Sequence, residues 1–272
     1  MKPGPQRLAD AAGRLRTRMG AAFPGSHALF RGHDLHAELG QLDWMALYVF
    51  GITGRQPSPQ QVELLHALWV YTSYPDARLW NNRVAELAGS CRSSAALALP
   101  AAMAVSDATV YGGQAGARAL DFFLRTQAAL EQGASLAVLV ETERRRRHLS
   151  GYGRPINSHD ERIPWLLALV ERLGLEQGPH LRLAFAVEKL LVAERPQLKI
   201  NYAAVYAAIM ADLGFSVREY QAFRIPTFLA GMAPCYLEGL ERAEGTFLPV
   251  ACEAVHYEGV AIRRWENYDE SH

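Results

Sequence analysis

The sequence predicts an all-α protein, and three observations carry that prediction. Apolar residues recur at spacings of three and four along most of the chain. Many of these apolar-periodic segments end at glycine or proline, the residues that commonly terminate helices. Segments in which apolar and polar residues alternate are scarce, and only residues 245–265 offer a plausible extended stretch.

The predicted helices follow one another along the chain. The first spans 41–54 and places Leu42, Met45 and Val49 on one side, with stops at Gly51 and Gly54. The second begins with a serine-proline pair, which favours a helix start. Further amphipathic segments occupy 58–74, 117–133, 163–178, 182–196, 201–214 and 217–245.

Composition and charge describe an ordinary globular protein and exclude several function classes. The 272 residues are 50% hydrophobic and 21% charged, with a formal net charge of +0. This length suits one large domain or two modest ones. Zero net charge gives no global attraction to nucleic acid or acidic lipid, so neither is an expected partner. The N-terminus is basic but lacks the apolar core of a signal peptide, so we expect a loose arm or a solvated helix there.

The apolar runs and the cysteines bear on localisation and on metals. No apolar run approaches the roughly 18 residues of a membrane span, and the richest run is broken by Pro100. The three cysteines, Cys91, Cys235 and Cys252, are widely spaced and show no metal-ligand spacing. A cytoplasmic protein without a metal site is therefore expected.

Local motifs leave several alternatives open. The stretch GGQAG, 112–116, is either a simple helix start or an anion-binding turn. The basic run 144–147 is either a solvated helix face or a patch that meets phosphates. His66 lies in an apolar helix and is more typical of a packed or surface histidine than of a ligand. No zinc-protease, nucleophile-elbow, Walker or Rossmann motif is present.

Five motifs in a constant order carry a family resemblance. FRGHDL, 30–35, followed by DWMALYVFGITGRQPSPQQ, resembles the opening RGYDI…FEEVAYLLLYGRLP of the citrate synthase family. NNRVAELAGSCRSS, 81–94, resembles the long helix that leads into the family's HGGA turn, here VYGGQA. GYGRPINSHDER, 151–162, resembles the loop GFGHPVYK…DPR.

The two remaining motifs extend the resemblance to the end of the chain. VEKLLVAERPQLKINYAA, 187–204, resembles EK…PNLILNVDG of the citryl-CoA lyase-like module of ATP-citrate lyase. LAGMAPCYLEGLER, 229–242, resembles MGFIGHYLDQKR. The short chain is similar in length to the compact citryl-CoA lyases.

The resemblance implies an all-α homodimer whose subunits have a large and a small domain. It implies an N-terminal arm at 1–29, a large domain formed by 30–113 and 215–272, and a small domain at 114–214. Coenzyme A or an acyl-CoA is the implied substrate and would lie in the cleft between domains. Pairing with a homologue is an alternative to a homodimer.

The residues that perform the family's chemistry are replaced in this chain. The aspartate that takes a proton from the acetyl methyl group is Ala203 here, and the HGGA histidine is Tyr111. Arg154 stands for the histidine of the glycine loop. Other expected histidine or arginine positions hold Ser73 or Tyr74, Phe228, Cys235 and Leu248. Because alanine cannot take a proton, ordinary citrate synthesis is not expected.

Polar residues that remain near the cleft are the candidate site. Tyr111 is expected to donate a hydrogen bond to a thioester or enolate oxygen, and Arg154 to hold an anionic group. His159 is the candidate acid or base. The candidate catalytic residues are Tyr111, Arg154, His159 and Asn201. The candidate CoA-binding residues are Arg147, Gly151, Tyr152, Gly153, Asn157 and Arg162.

Three functions are compatible with this pattern. The first is an acyl-CoA-dependent transferase or C–C bond lyase with altered active-site residues. The second is a non-catalytic relative that binds CoA or a partner protein. The third is an enzyme that uses the cleft for a neutral small molecule without CoA, in a pocket lined by Tyr111, Tyr202 and Phe228.

Overall fold

A computed structural model describes residues 3–13, 15–109, 112–146, 149–154, 159–244 and 251–263. Within these ranges the chain is helical apart from one small sheet, so the all-α prediction is confirmed. The helices are α1 Gly4–Ala11, α2 Trp44–Thr53, α3 Pro59–Val70, α4 Trp80–Ser90, α5 Ala95–Ser106, α6 Gln114–Glu131, α7 Leu136–Arg146, α8 Arg162–Arg172, α9 Pro179–Glu194, α10 Tyr202–Asp212, α11 Val217–Phe223 and α12 Leu229–Glu241. No helix in the described ranges is both long and apolar enough to cross a bilayer.

Helix α2 begins at Trp44, three residues after the predicted start, and ends at the second of its two candidate stops. The Asp43 side chain accepts a hydrogen bond from the Ala46 amide at 2.8 Å, which caps the first turn. Gly54 ends the helix in the left-handed conformation, with φ of 73°. Gly51 lies inside the helix instead. Its lack of a side chain makes room for the Phe30 ring, since a Cβ there would approach that ring to 2.6 Å. The prediction of a stop at Gly51 was therefore wrong, and that glycine serves packing.

A three-stranded antiparallel sheet precedes α2 and was not predicted from the sequence. Its strands are β1 Gly20–Phe23, β2 His27–Phe30 and β3 His33–Asp34, in that spatial order. Arg31 attaches the sheet to α2 by donating to the carbonyls of Gly51 and Ile52, at 3.0 and 3.1 Å. The stretch expected to be extended, 245–265, has no strand among its described residues 251–263.

Helix α10 is the centre of the larger hydrophobic core. Nine of its eleven residues are buried, and five of its residues are alanine. These small side chains let the neighbouring helices α6 and α9 pack closely against it. Since α10 is covered by its own chain, its apolar sequence gives no support for a subunit interface.

A second, smaller core joins α4, α5 and α12. It is built from Ala85, Ala98, Ala102, Met232 and Tyr236. Helices α4 and α12 cross closely at two glycines, Gly89 and Gly239. A Cβ at either position would lie 2.3 Å from a carbonyl oxygen of the other helix. Helices α2 and α3 contribute to the larger core instead, together with α6 to α11. The division into large and small domains stays a prediction.

Candidate functional site

The glycine loop, residues 149–154, is fixed to the segment that precedes α10. The Gly153 amide donates to the Lys199 carbonyl at 2.7 Å, and the Asn201 amide donates to the Gly151 carbonyl at 2.9 Å. Gly151 has φ of 94°, and a Cβ there would lie 2.5 Å from the Ala204 Cβ. Both backbone conformation and contact with α10 therefore require glycine at this position.

Two predicted site residues, Tyr152 and Asn201, use their side chains to hold this scaffold. Tyr152 is only 8% exposed, and its hydroxyl donates to the Ala184 carbonyl at 2.9 Å. The Asn201 side chain accepts from the Ala203 amide at 3.0 Å and donates to the Gly153 carbonyl at 2.9 Å. It thereby caps α10 and joins that helix to the glycine loop. A ligand beside this loop would meet the main chain of Tyr152 rather than its ring.

Asp160 and Arg162 form a buried ion pair between the starts of α8 and α10. Arg162 donates to both carboxylate oxygens of Asp160 at 2.7 Å, and the Tyr202 amide donates to the same carboxylate at 2.9 Å. The guanidinium lies 4.2 Å from the centre of the Tyr202 ring. Burial disfavours both charges, but the pair outweighs it, so the pKa of Asp160 is lowered and the pKa of Arg162 is raised. Arg162, a predicted CoA-binding residue, is thus already engaged by its own chain.

Tyr74, Arg154 and Glu161 make a second, more exposed group, which we call the cleft cluster. Arg154 Nη1 donates to Glu161 Oε2 at 2.8 Å, and the Tyr74 hydroxyl donates to Glu161 Oε1 at 2.9 Å. Arg154 also donates to the His159 carbonyl at 2.6 Å. The hydrogen bond from Arg154, with a smaller contribution from Tyr74, lowers the pKa of Glu161 to about 2.

Of the two adjacent candidates in the loop after α3, Ser73 and Tyr74, it is Tyr74 that contacts the cleft cluster. The Ser73 hydroxyl donates to the Trp69 carbonyl at 2.7 Å, and its oxygen lies 3.2 Å from the Thr227 carbonyl oxygen. Ser73 therefore ties α3 to the 3₁₀ turn before α12, and Tyr74 is the side chain that reaches the cluster.

His159 and Lys199 form a pair at hydrogen-bond distance beside the cleft cluster. His159 Nε2 lies 3.2 Å from the Lys199 ammonium nitrogen. The pair places an imidazole beside an amine, two groups that can take part in acid–base chemistry.

A second cluster surrounds the start of α6, next to the predicted Tyr111. Arg224 is 6% exposed and pairs with Asp107, whose carboxylate also accepts from the Gln114 side chain at 2.9 Å. A Cβ at Gly113 would lie 1.4 Å from the Arg224 guanidinium, so the second glycine of the turn makes room for this cation. The stretch GGQAG is therefore a helix start packed on a buried arginine that pairs with the exposed carboxylate of Asp107.

Several predicted residues lie outside the described residues or away from the site. Tyr111, Arg147, Asn157 and Leu248 lie outside the described residues. Cys235 is 2% exposed on α12, and Phe228 packs against the second core. Among the described residues no group of histidine, cysteine and carboxylate side chains is arranged to hold a metal.

The basic run occupies the last turn of α7 and meets acidic partners. Arg144 donates to Glu194 at 2.7 Å, and Arg145 donates to Glu141 at 2.8 Å. These contacts with α9 and within α7 favour the solvated-face interpretation for the described part of the run.

Glu161, Lys199 and Arg224 are the site residues that sequence reasoning missed. Glu161 stands in DER where the family motif has DPR, and that departure was a usable signal. Lys199 and Arg224 gave no signal, because their partners His159 and Asp107 are 40 and 117 positions away in the chain.

Comparison with known proteins identifies the fold. Models of protein families give no match. Curated protein sequences give no match either. Among solved structures, citryl-CoA lyase from Hydrogenobacter thermophilus superposes with a TM-score of 0.80 at 19% identity, covering 93% of this chain and 98% of the lyase.

Two larger enzymes superpose over part of their length. ATP citrate lyase from Methanothrix soehngenii, solved with citrate and coenzyme A, gives a TM-score of 0.73 at 17% identity over 96% of this chain and 45% of that chain. Citrate synthase from Thermoplasma acidophilum gives 0.64 at 16% identity over 83% and 59%. This chain therefore has the fold of the citrate synthase superfamily.

Proposed function

We propose that this protein binds an acyl-CoA thioester in the cleft beside the glycine loop and acts as an acyltransferase or C–C bond lyase. The observation that carries the proposal is the glycine loop itself. Gly151 and Gly153 have left-handed conformations, and the sequence resemblance places both in the family's CoA-side loop. Three hydrogen bonds join the loop to Lys199 and Asn201, in the segment before α10, so it is a rigid surface that a nucleotide and pantetheine could follow.

The proposed chemistry differs from citrate synthesis because the proton acceptor is different. Ala203, at the family's aspartate position, lies in the first turn of α10 and has no titratable group. We assign proton transfer to His159, whose Nε2 lies 3.2 Å from the Lys199 side-chain nitrogen. Tyr111 remains the proposed hydrogen-bond donor to the thioester oxygen.

A turnover assay across acyl-CoA thioesters tests this assignment. We expect His159→Ala to lower kcat by about 100-fold or more, the usual contribution of general acid–base catalysis. His66→Ala, an exposed histidine on α3, is the matched control and should leave the rate unchanged. Unchanged rates in both His159→Ala and Tyr111→Phe would contradict these two roles.

A non-catalytic CoA-binding or partner-binding protein is the second candidate, and the paired charges favour it. Arg154 and Arg162 both lie within 2.8 Å of carboxylates of the same loop region, so neither offers an unshared charge to a reacting group. Calorimetry with CoA and acetyl-CoA, combined with the turnover assay, separates the candidates. Tight binding without turnover supports the second candidate, whereas absence of binding contradicts every CoA-dependent function and leaves partner binding.

The third candidate, a neutral ligand in an aromatic pocket, has little support. Tyr202 is 2% exposed, and its hydroxyl donates to the Leu68 carbonyl at 3.1 Å. Phe228 packs against the second core. These two rings therefore fill the interior rather than line an open cavity.

A homodimer is proposed from the exposed face of α5. Leu97, Pro100, Ala101 and Ala104 recur at helical spacing, and all four are exposed, Leu97 at 70%. An apolar face of this kind is covered in most soluble proteins. Light scattering should give twice the chain mass of 30.1 kDa, and Leu97→Glu should shift it toward 30.1 kDa. A monomer in the unmodified protein would contradict the proposal.

A cytoplasmic setting is proposed as well. The two cysteine side chains that the structure describes, Cys91 and Cys235, are free thiols. Reduced cysteines are typical of that compartment.

A further inference from the structure

Three departures from the family motifs contact one another in the cleft cluster. Arg154 replaces the histidine of the glycine loop, Glu161 replaces the proline of DPR, and Tyr74 stands near a further histidine position. Tyr74 lies 80 or more positions before the other two residues in the sequence. The side chains of Tyr74 and Arg154 nevertheless both donate to the Glu161 carboxylate. The gain of a cation and the gain of an anion are therefore matched in space.

The pairing neutralises Arg154 and Arg162. Glu161 pairs with Arg154, and Asp160 pairs with Arg162. Lys199 adds a positive charge beside the cleft cluster, where its ammonium is hydrogen-bonded to His159. A substrate carboxylate would thus find both donors of the cluster, Arg154 and Tyr74, already bonded to a carboxylate of the protein.

We infer that the carboxylate of Glu161, a group of the protein itself, occupies the anion position of the cleft. The site therefore selects thioesters with an uncharged acyl group and rejects acyl groups that carry a terminal carboxylate. This inference rests on the proposed function for the thioester, but the occupied anion position stands on the contacts alone. It names the substrate class that the proposed function leaves open.

The physical reason for selectivity is the cost of removing Glu161 from its donors. A second carboxylate near Glu161 meets like-charge repulsion, and its desolvation is not compensated by Arg154, whose guanidinium already pairs with Glu161. An uncharged acyl group meets neither penalty. Because the Glu161 side chain is 59% exposed, its charge can be removed without leaving a buried vacancy.

The test measures binding of free malonate to the full-length protein by calorimetry. Glu161→Gln keeps the shape of the side chain and frees Arg154, so we expect malonate to bind at least about tenfold tighter than to the unmodified protein, as for one charge-assisted hydrogen bond. Glu171→Gln, an exposed glutamate on α8, is the matched control and should behave as the unmodified protein. Arg154→Gln combined with Glu161→Gln should lose the gain.

A second variant guards against misfolding of the first. Glu161 has φ of −61°, a value that proline adopts, so Glu161→Pro restores the family motif without backbone strain at that angle. It should show the same gain in malonate affinity. Equal malonate affinity in the unmodified protein and in both single variants, or a gain that survives loss of Arg154, would overturn the inference. Failure of CoA binding would instead count against the proposed function, since malonate binding needs no CoA.

Discussion

Two ion pairs in the same loop region neutralise two arginines, and they differ chiefly in burial. The Asp160 side chain is 1% exposed and also holds the Tyr202 amide, whereas the Glu161 side chain is 59% exposed. Breaking the first pair strands a charge inside the protein, but breaking the second leaves its arginine within reach of water. The Asp160–Arg162 pair is therefore part of the scaffold. The Arg154–Glu161 pair is not needed for the fold, and its role is to determine which ligand binds.

The largest effect is expected from Asp160→Asn. It leaves Arg162 buried without its counter-charge, so the free energy of unfolding should fall by about 3–5 kcal/mol. Chemical denaturation measures this loss. Asp121→Asn, in an exposed pair with Arg125 on α6, is the control and should cost no more than about 1 kcal/mol. Equal costs would contradict the scaffold role of the buried pair.

Gly151→Ala comes next and tests how tightly the glycine loop is held. Alanine should cost roughly 1–2 kcal/mol for the left-handed backbone, with more for the contact with Ala204. Gly133→Ala has a similar φ of 87° but open space around its Cβ, so it isolates the backbone cost. If the two variants have the same denaturation midpoint, the loop is not locked against α10.

Glu161→Gln should change stability little. The exposed pair contributes no more than about 1 kcal/mol to the free energy of unfolding, although the same variant should change anion binding tenfold. Denaturation of this variant beside Asp160→Asn measures the contrast directly. A loss as large as that of Asp160→Asn would place the cleft cluster in the scaffold instead.

The smallest effect is the pH dependence of the exposed pair. The folded protein lowers the pKa of Glu161 to about 2 from an ordinary value of 4.5, so its stabilisation is present above pH 4.5 and lost as the pH falls toward 2. The difference in unfolding free energy between the unmodified protein and Glu161→Gln should shrink over that window. A difference that stays constant from pH 6 to pH 2 would show that Glu161 is not held by Arg154.

The sequence was sufficient for most of the fold because local signals are strong there. Ser58 and Gln61 form the capping box that starts α3, and Gly54 ends α2, as local chemistry dictates. The small sheet was missed because its strands are four residues or shorter, although Pro24-Gly25 marked its turn.

The site was predictable only in part, because its contacts are non-local. The order of the motifs identified Arg154 and Asn201 as candidate site residues. It did not identify the residues that hydrogen-bond to them. Asn201 is a helix cap bonded to Gly153, and Arg154 is paired with Glu161. Neither partner follows from a residue's type or its neighbours, since each contact depends on how the loop folds back against α3 and α10.

One titration tests the central claim most directly: acetyl-CoA and malonyl-CoA bound separately to the unmodified protein, measured by calorimetry. The two ligands share the CoA portion and differ by one carboxylate on the acyl group. We predict that acetyl-CoA binds at least about tenfold more tightly than malonyl-CoA, because Glu161 already occupies the anion position. Malonyl-CoA binding as tightly as acetyl-CoA, or more tightly, would contradict it.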